Sequence, residues 1–330
     1  MQAGATFQDT TVLVTGGQGF IGSWLAERLL GMGARVVVPI RDVHPEKRFH
    51  AEGIGERCIL EPADVRDYDA LLQILTKHDV RTVFHLAAQP IVGIANRSPL
   101  STWDSNVAGT YALLEACRTK GTLGAPIERI VVASSDHAYG PQADSPLRED
   151  SPLEPRYPYD VSKGCADMIA GSYASRYGMP VAITRLANVF GGGDRNWSRI
   201  VPDTARSLAR GQRPVIRSDG SPQRDYLYVE DAAEAYLSVA ESLDRSELHG
   251  RAWNASLGRP VSVLELVRRL IAVSGSDVEP DIQGEGTPHA EADSLLIDSG
   301  AIRDELGWAP RWSLDEALTR TYAWYGRNVG

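Results

Sequence analysis

The stretch Thr11–Leu25, TVLVTGGQGFIGSWL, decides the fold. It opens with a β-branched apolar run typical of a buried parallel strand, and the run ends at a pair of glycines. Gly16, Gly19 and Gly22 then recur at every third residue, and an apolar helical pattern follows them. Strand, glycine turn and helix together form the arrangement that holds the pyrophosphate of a dinucleotide at a helix N-terminus. The spacing is G-x-x-G-x-x-G and not the commoner G-x-G-x-x-G, so the prediction of cofactor binding depends on this context.

The bulk composition is that of an ordinary globular enzyme. The chain has 330 residues, 43% of them hydrophobic and 23% charged, with a net charge of −9. Such an acidic chain is not expected to bind nucleic acid. Residues 1–9 lack the basic start and apolar core of a signal peptide, and no apolar run approaches the ~20 residues that span a bilayer. Cys58, Cys117 and Cys165 are scattered. We therefore expect a cytoplasmic protein with no membrane segment, no disulfide and no metal site.

Strand and helix patterns alternate through the first half of the chain. This rhythm predicts an α/β fold, a Rossmann-type doubly wound parallel sheet with a smaller mixed α/β C-terminal substrate lobe. Asp67 is expected to cap one helix, and residues 101–120 are expected to form another. The dinucleotide-binding domain is predicted to comprise residues 1–186 and a return at about 226–258. The lobe then comprises residues 187–225 and 259–330.

Ligands of open α/β sheets bind at the carboxyl ends of the strands, which selects the candidate cofactor residues. The second strand ends in Arg41-Asp42, where an acid hydrogen-bonds the adenosine ribose and an arginine accommodates a 2′-phosphate. NAD is therefore the expected cofactor, and Arg41 leaves NADP open. His85 lies within a strand and is expected to be a packed core residue. The residues predicted to contact the cofactor are Gly16, Gly19, Phe20, Ile21, Gly22, Arg41, Asp42, Asp64, Val65, Leu86, Ala87, Ala88, Asn106, Tyr159 and Lys163.

Tyr159 and Lys163 are four residues apart on a predicted helix, so they share one face. An ammonium beside a phenol favours the phenolate, which is a good base for a secondary alcohol. The same lysine is able to hold a nicotinamide ribose. Ser135, at the end of a predicted strand, would hydrogen-bond the same substrate oxygen as the tyrosine. These residues predict oxidation of an alcohol by a bound nicotinamide.

Five motifs carry a family resemblance across nearly the whole chain. In order they are TGGQGFIG, FHLAAQP, SSDHAYG, YDVSK and RDYLYVED, and they resemble the extended short-chain dehydrogenase/reductases that act on nucleotide sugars. GSWL, AAQP, SKGCAD, NVFGGGD and RIVPD are most similar to the CDP-glucose 4,6-dehydratase branch. The resemblance implies a tightly held NAD(P) and a Ser135–Tyr159–Lys163 catalytic set. It also implies a nucleotide-diphosphate sugar bound by the C-terminal lobe and a homodimer joined by a four-helix bundle.

The pair after Ser135 separates the branches of this family. A 4-epimerase only oxidises C4 and returns the hydride, whereas a 4,6-dehydratase also removes the C5 proton and expels the C6 hydroxyl as water. That elimination needs a base and an acid beside the sugar. Dehydratases of the family carry Asp–Glu or Asp–Lys, and this chain carries Asp136-His137. The expected roles are His137 as base and Asp136 as acid, since a histidine is a competent base near neutral pH. Against this stands a purely structural role, in which Asp136 caps the next turn and His137 bonds it.

The remaining ligand prediction concerns an arginine-rich segment of an otherwise acidic chain. Arginines beside turns and strand ends suit a diphosphate, because their planar fork donates two parallel hydrogen bonds. The residues predicted to bind substrate are Gln89, Asn188, Arg199, Arg217 and Arg224. Two other functions stay open on the sequence: an NDP-sugar 4-epimerase, and a catalytically silent nucleotide-sugar or NAD(P)H-binding regulator on the same fold.

Overall fold

The computed structural model describes residues 6–142, 146–284 and 294–329. The chain divides into two compact units. Unit 1 holds the described residues of Met1–Gly140, Glu149–Arg185 and Ala233–Trp253, and unit 2 holds those of Pro141–Arg148, Leu186–Ala232 and Asn254–Gly330. Within these residues, no helix is both long enough and apolar enough to cross a membrane.

The strands and helices are numbered in the order in which they occur along the chain. The strands are β1 (Thr11–Thr15), β2 (Arg35–Ile40), β3 (Ile59–Pro62), β4 (Thr82–His85), β5 (Arg129–Ala133), β6 (Val181–Leu186), β7 (Asn188–Phe190), β8 (Val215–Ile216), β9 (Gln223–Arg224), β10 (Tyr226–Tyr228), β11 (Ala252–Ala255), β12 (Val261–Ser262), β13 (Asp281–Ile282) and β14 (Ser294–Leu295). The helices are α1 (Phe20–Gly31), α2 (Arg48–Ala51), α3 (Tyr68–Lys77), α4 (Val92–Arg97), α5 (Pro99–Thr102), α6 (Gly109–Leu123), α7 (Pro158–Tyr177), α8 (Ile200–Ala209), α9 (Val229–Ser242), α10 (Val263–Ser274), α11 (Gly300–Leu306) and α12 (Leu314–Asn328).

A seven-stranded sheet in the order β11-β6-β5-β4-β1-β2-β3 forms the centre of unit 1. The chain builds it outward from β1, first through β2 and β3, then through β4, β5 and β6 on the other side, with parallel pairing throughout these six strands. This is the doubly wound order in which ligands bind where the two halves diverge. The predicted fold class is confirmed.

The core of unit 1 explains why these segments became strands and helices. Every residue of β1 is buried, as its uninterrupted apolar run predicts. The Asp67 carboxylate accepts the Ala70 N–H at 3.0 Å and caps α3, as expected from the sequence. Leu71 of α3 and Leu113 of α6 are fully buried in the same apolar cluster as the strand residues. Each such leucine contributes about 2 kcal/mol by leaving water.

The described residues of unit 2 form two short strand pairs, β7 with β10 and β8 with β13, and a three-stranded sheet in the order β12-β9-β14. The helices α8, α10 and α12 pack against one another. A capping box closes the start of α12, where Ser313 and Glu316 satisfy each other's backbone N–H groups. The Asp231 carboxylate accepts the backbone N–H groups of Arg311 and Trp312. The buried Trp308 donates its indole N–H to the Asp231 carbonyl. These contacts anchor the C-terminal segment within the unit.

The division of the chain differs from the predicted domains chiefly in three places, one of which is residues 254–258, which belong to unit 2. Residues 226–232 belong to unit 2, because β10 pairs with β7 and not with the central sheet. The described residues of 141–148 also belong to unit 2, since Leu147 donates to the Leu296 carbonyl at 2.8 Å and accepts from Asp298 N–H at 2.7 Å. The return to unit 1 is therefore residues 233–253, shorter than the predicted 226–258.

The long helix predicted over residues 101–120 is wrong as a single regular element. The structure has α5, then a π-helical segment Trp103–Ala108, and then α6. A π turn holds one more residue than an α turn and is common at functional sites. Asn106 lies in this segment and is 2% exposed.

Candidate active site

The glycine turn after β1 is packed too closely for side chains. Gly16 has φ +70°, and a Cβ there would lie 2.7 Å from the Ala87 backbone nitrogen. A Cβ on Gly22 would lie 2.2 Å from the Gly16 carbonyl oxygen, so the first turn of α1 rests directly on the glycine turn. At Gly19 the nearest atom is again the Gly16 oxygen, at 3.0 Å. The turn itself therefore explains all three glycines.

The start of α1 fits a pyrophosphate. Gly19 is the N-cap residue and has no side chain to bond the first N–H groups of the helix, which begin at Phe20 and Ile21. The first turn contains no acidic residue that would repel an anion. A helix N-terminus of this kind attracts a phosphate through its N–H groups and its partial positive charge. The local structure thus suits the dinucleotide expected from the sequence.

A buried hydrogen-bond chain joins the end of β1 to the end of β4. Thr110 donates its hydroxyl to the Asn106 carbonyl at 2.6 Å, so it accepts the His85 Nε2–H at 3.1 Å. His85 Nδ1 then accepts the Thr15 hydroxyl at 2.8 Å, and the Thr15 oxygen accepts the Ala87 N–H at 3.2 Å. Burial, assisted by the nearby charge of Lys163, lowers the pKa of His85 to about 3. His85 is therefore neutral, and its prediction as a packed core residue is confirmed.

Asn106 ties the loop after β4 to α7. Its Oδ1 accepts the Gln89 N–H at 2.7 Å, and its Nδ2 donates to the Gln89 carbonyl at 3.2 Å and to the Ser162 hydroxyl at 2.8 Å. Ser162 in turn donates to the Tyr159 carbonyl at 2.6 Å. The structure thus places both predicted ligand residues, Asn106 and Gln89, in a brace that fixes the start of α7.

A 3-10 turn, Asp136–Tyr139, follows β5 and carries the predicted acid and base. The Ser135 hydroxyl donates to Asp136 Oδ1 at 2.8 Å, and the same oxygen accepts the His137 N–H at 2.9 Å. Gly140 closes the turn with φ +71°, and a Cβ there would lie 2.0 Å from the Glu154 carbonyl oxygen. The Ser135 hydroxyl must release Asp136 before it donates to any substrate oxygen.

Helix α7 brings Tyr159 and Lys163 against this turn. The Lys163 ammonium donates to the Ala133 carbonyl at the end of β5, at 2.8 Å. Burial lowers the pKa of Lys163 to about 8. The Tyr159 and His137 rings meet edge to face, with centroids 5.5 Å apart. The structure therefore collects all five predicted catalytic residues, Ser135, Asp136, His137, Tyr159 and Lys163, at the carboxyl end of β5.

His137 has a partner that the sequence did not reveal. Its Nδ1 lies 2.9 Å from Oδ1 of Asp160, the residue after Tyr159. The Asp160 side chain is 9% exposed and the His137 side chain 29% exposed. The structural role considered for the Asp136-His137 pair is also present, because Asp136 Oδ1 accepts the His137 backbone N–H at 2.9 Å, while the His137 ring is held by Asp160 of α7.

The predicted ribose end of the cofactor site lies after β2 and β3. The exposed Arg41 donates to its neighbour Asp42 at 2.6 Å and lies 4.0 Å from Asp64. Hydrogen bonds from Arg66 lower the pKa of Asp64. Val65 packs against Gly109, where a Cβ would lie 2.9 Å from its side chain. Ala88 is half-buried after β4. Arg41, which suits NADP, and Asp42, which suits NAD, lie side by side here, so both cofactors fit these two residues.

The other predicted substrate residues lie in unit 2. Asn188 begins β7 and donates its N–H to the Asp225 carbonyl at 3.3 Å. Arg199 occupies the N-cap position of α8 and pairs with Asp194 at 3.0 Å, while Arg217 is exposed just after β8. Arg224 lies in β9 and is half-buried. These four stay predictions as substrate ligands.

Similarity to known proteins now fixes the family. The sequence profile of the NAD dependent epimerase/dehydratase family matches residues 12–256, which include the glycine turn, the strand-end turn and the Tyr159–Lys163 helix. The chain belongs to this family. The expectations of an extended short-chain dehydrogenase/reductase and of NAD as cofactor are confirmed at this level. All three cysteines are free thiols. Within the described ranges no cluster of three or more His, Cys, Asp or Glu is arranged to hold a metal.

The relatives of this chain include both 4,6-dehydratases and 4-epimerases. The chain is 32% identical to the CDP-glucose 4,6-dehydratase of Salmonella typhimurium, over 97% of this chain and 91% of that protein. It matches the UDP-glucose 4-epimerase of Thermotoga maritima, solved with UDP-glucose, at a TM-score of 0.87 and 27% identity over 97% of this chain and all of that one. The dTDP-glucose 4,6-dehydratase of Streptomyces venezuelae, solved with NAD, matches at a TM-score of 0.85 and 27% identity. This match covers 97% of this chain and 98% of that one.

Two contributors to the site escaped the sequence analysis. Thr15, the last residue of β1, links the glycine turn to His85 and Ala87. Asp160 stands beside Tyr159 in the YDVSK motif, but nothing local connects it to His137. A signal for Thr15 was available, since a polar residue closing a buried strand needs a hydrogen-bond partner.

Proposed function

We propose that the chain is an NDP-hexose 4,6-dehydratase, with a CDP-glucose-like substrate favoured, that forms an NDP-4-keto-6-deoxyhexose. The observation that carries the proposal is the Asp136-His137 pair at the end of β5, beside Tyr159. An epimerase needs no second acid and base at this position, whereas elimination of water does. The similarity to the Salmonella CDP-glucose 4,6-dehydratase supports the same choice.

The first half of the proposed reaction uses α7. NAD, when bound, would supply the acceptor for the hydride of C4 and the donor for the hydride that C6 receives. The Tyr159 oxygen takes the proton of the C4 hydroxyl, and the Ser135 hydroxyl turns from Asp136 to donate to the same oxygen. Lys163, whose low pKa reflects its burial, supplies positive charge next to the phenol and holds the nicotinamide ribose.

The second half uses the strand-end turn. The C4 ketone acidifies the C5–H bond, and His137 removes that proton while the electron pair stays on the sugar as an enolate. The C6–O bond then breaks, and Asp136 protonates the leaving hydroxyl, which departs as water. When C6 receives the hydride, the protonated His137 returns its proton to C5, which completes the 4-keto-6-deoxy sugar. Asn188, Arg199, Arg217 and Arg224 are proposed to hold the diphosphate and nucleotide, with Gln89 near the sugar.

Product mass tests this function. The purified protein is incubated with CDP-, UDP-, dTDP- and GDP-hexoses, and the products are weighed. Loss of one water, abolished by Tyr159→Phe, is the expected result. A stereoinverted product of unchanged mass would establish the 4-epimerase in its place. Cofactor binding without turnover of any of these sugars would favour the silent regulator.

We also propose that the chain forms a homodimer through α6 and α7. Both helices present large exposed apolar side chains in unit 1: Tyr111 of α6 is 51% exposed, and Met168 and Tyr177 of α7 are 59% and 54% exposed. Apolar side chains exposed on adjacent helices are typical of an interface between subunits. Met168→Glu is expected to shift the protein to monomer in analytical ultracentrifugation, while Arg176→Glu on the same helix, which adds more negative charge but removes no apolar side chain, provides the comparison. A dimer unaffected by Met168→Glu would contradict this interface.

A further inference from the structure

His137 and Asp160 form a side-chain pair that spans two elements of unit 1. The Nδ1–Oδ1 distance of 2.9 Å is that of a hydrogen bond between a ring N–H and a carboxylate. The carboxylate is almost buried, whereas 29% of the imidazole surface is open to solvent. The ring is therefore partly exposed, and the group that orients it is sheltered.

The chemistry of the two groups fixes which nitrogen is basic. An ionised carboxylate only accepts hydrogen bonds, so the proton of a neutral imidazole facing it lies on Nδ1. The unshared electron pair of the ring is then on Nε2. When Nε2 gains a proton, the adjacent negative charge stabilises the resulting imidazolium. In the catalytic triads of acyl-transfer enzymes, an aspartate likewise orients the histidine through Nδ1 while Nε2 acts as the base.

We propose that Asp160 is a positioning residue that fixes the tautomer and direction of His137, so that Nε2 removes the C5 proton. The inference rests on the proposed dehydratase function and adds a residue to it. Asp160 directly follows Tyr159, so one helical turn of α7 carries both the phenol that acts at C4 and the carboxylate that orients the base for C5. The Asn106–Ser162 brace holds this turn at its backbone.

A merely structural role for Asp160 predicts a different pattern. An acidic residue in the first turn of a helix stabilises it through the helix dipole, and Asp160 is in the first turn of α7. Loss of that effect would lower stability and leave the relative rates of the two half-reactions unchanged. Loss of a positioned base would slow elimination alone, because oxidation at C4 depends on Tyr159 and Lys163.

The test follows both half-reactions in the intact protein with bound NAD and CDP-glucose. Asp160→Asn is expected to lower kcat for the dehydrated product roughly a hundredfold. Reduced nicotinamide, followed by its absorbance, should still form at the wild-type rate and accumulate. Asp160→Glu, which keeps the charge, should recover part of kcat with little change in KM. The matched control is Asp167→Asn on the same helix, where the carboxylate pairs with Arg185 at 2.8 Å; it should change stability without separating the two half-reactions.

The outcomes separate the inference from the proposed function. If the wild type releases no dehydrated product, the proposed function fails and this inference fails with it. If the wild type dehydrates the sugar and folded Asp160→Asn does so at the full rate, the inference alone is overturned. NMR of nitrogen-labelled histidine gives an independent check that needs no turnover. It should show the Nδ1–H tautomer of His137 in the wild type and its loss in Asp160→Asn, and an Nε2–H tautomer in the wild type would overturn the inference.

Discussion

Two histidines mark the ends of neighbouring parallel strands and have opposite surroundings. His85 closes β4 and bonds two threonine hydroxyls, and its burial keeps it neutral. His137 lies just beyond the end of β5, is partly open to solvent, and bonds a carboxylate. One position within the sheet makes histidine a structural hydrogen-bonding residue. A position a few residues farther along, beyond the edge of the sheet, gives it the charge partner and the access that a base requires.

The strongest test of this contrast removes His137. We expect His137→Gln to lower the rate of dehydration about a thousandfold, because a general base contributes on that order. Formation of reduced nicotinamide should change by no more than a few-fold. The measurement is product mass together with nicotinamide absorbance. An equal loss in both half-reactions would assign His137 a general role in binding or folding and break the contrast with His85.

Lys163 is buried like His85, but the proposed oxidation at C4 depends on it as the proposed elimination depends on His137. Lys163→Met should lower kcat about a hundredfold, since the phenol loses its neighbouring positive charge. The free energy of unfolding should rise by about 1 kcal/mol, because a buried ammonium with a lowered pKa is itself destabilising. Urea titration measures this change. Lys77→Met, at an exposed lysine, is the control, with an expected effect within about 0.5 kcal/mol. A destabilised Lys163→Met would show that its bond to Ala133 outweighs the burial of its charge.

His85 should show the reverse pattern to His137. His85→Leu is expected to cost about 2 kcal/mol of stability, because it leaves two buried hydroxyls without their ring partner. Activity at saturating NAD and substrate should stay within a few-fold of wild type. A double-mutant cycle with Thr110→Val sharpens the test, since Thr110→Val should cost less in the His85→Leu background. Additive effects would mean that the chain from Thr110 to Thr15 is not an energetic unit.

The pH dependence of stability gives the smallest expected effect. His85 has an ordinary pKa of 6.5 when unfolded and about 3 when folded. Below about pH 6.5 the unfolded chain binds a proton that the native state refuses, so His85 makes stability fall as the pH falls toward 3. The His85→Leu variant has no imidazole at this position, so this pH-dependent loss of stability is absent from it. Its stability deficit relative to wild type should therefore shrink by about 1 kcal/mol between about pH 7.5 and about pH 5.5. A constant deficit over that range would show that His85 is not held neutral.

The features predicted correctly from the sequence are those set by residues close together along the chain. The β1–glycine turn–α1 unit, the Asp67 cap and the Tyr159–Lys163 pair all follow from spacings of a few residues. The contacts that it missed join distant positions, such as Thr15 with His85 and His137 with Asp160. Whether two polar side chains meet across a sheet depends on how the elements pack, which no local pattern records.

The π-helical segment shows the same limit within one element. The apolar pattern of residues 101–120 is helical and predicts a single regular helix. The hydrogen bonds of Asn106 to Gln89 and Ser162 accompany the wider π turn, and both partners lie outside the segment. Local propensity favours a continuous α-helix, and the distant contacts override it.

Three backbone hydrogen bonds help to close the turn that ends at Gly140. Ala138 N–H bonds the Ser135 carbonyl, Gly140 N–H bonds the His137 carbonyl, and Glu154 N–H bonds the Tyr139 carbonyl, each at 3.0 Å. None of these bonds uses the side chains of residues 136 and 137. A combinatorial library randomised at these two positions, with Gly140 left intact, would lose the side-chain bonds of Asp136 and His137 but should keep these three backbone bonds. Other acid and base side chains could therefore be tested at positions 136 and 137 while Tyr159 and Lys163 remain unchanged.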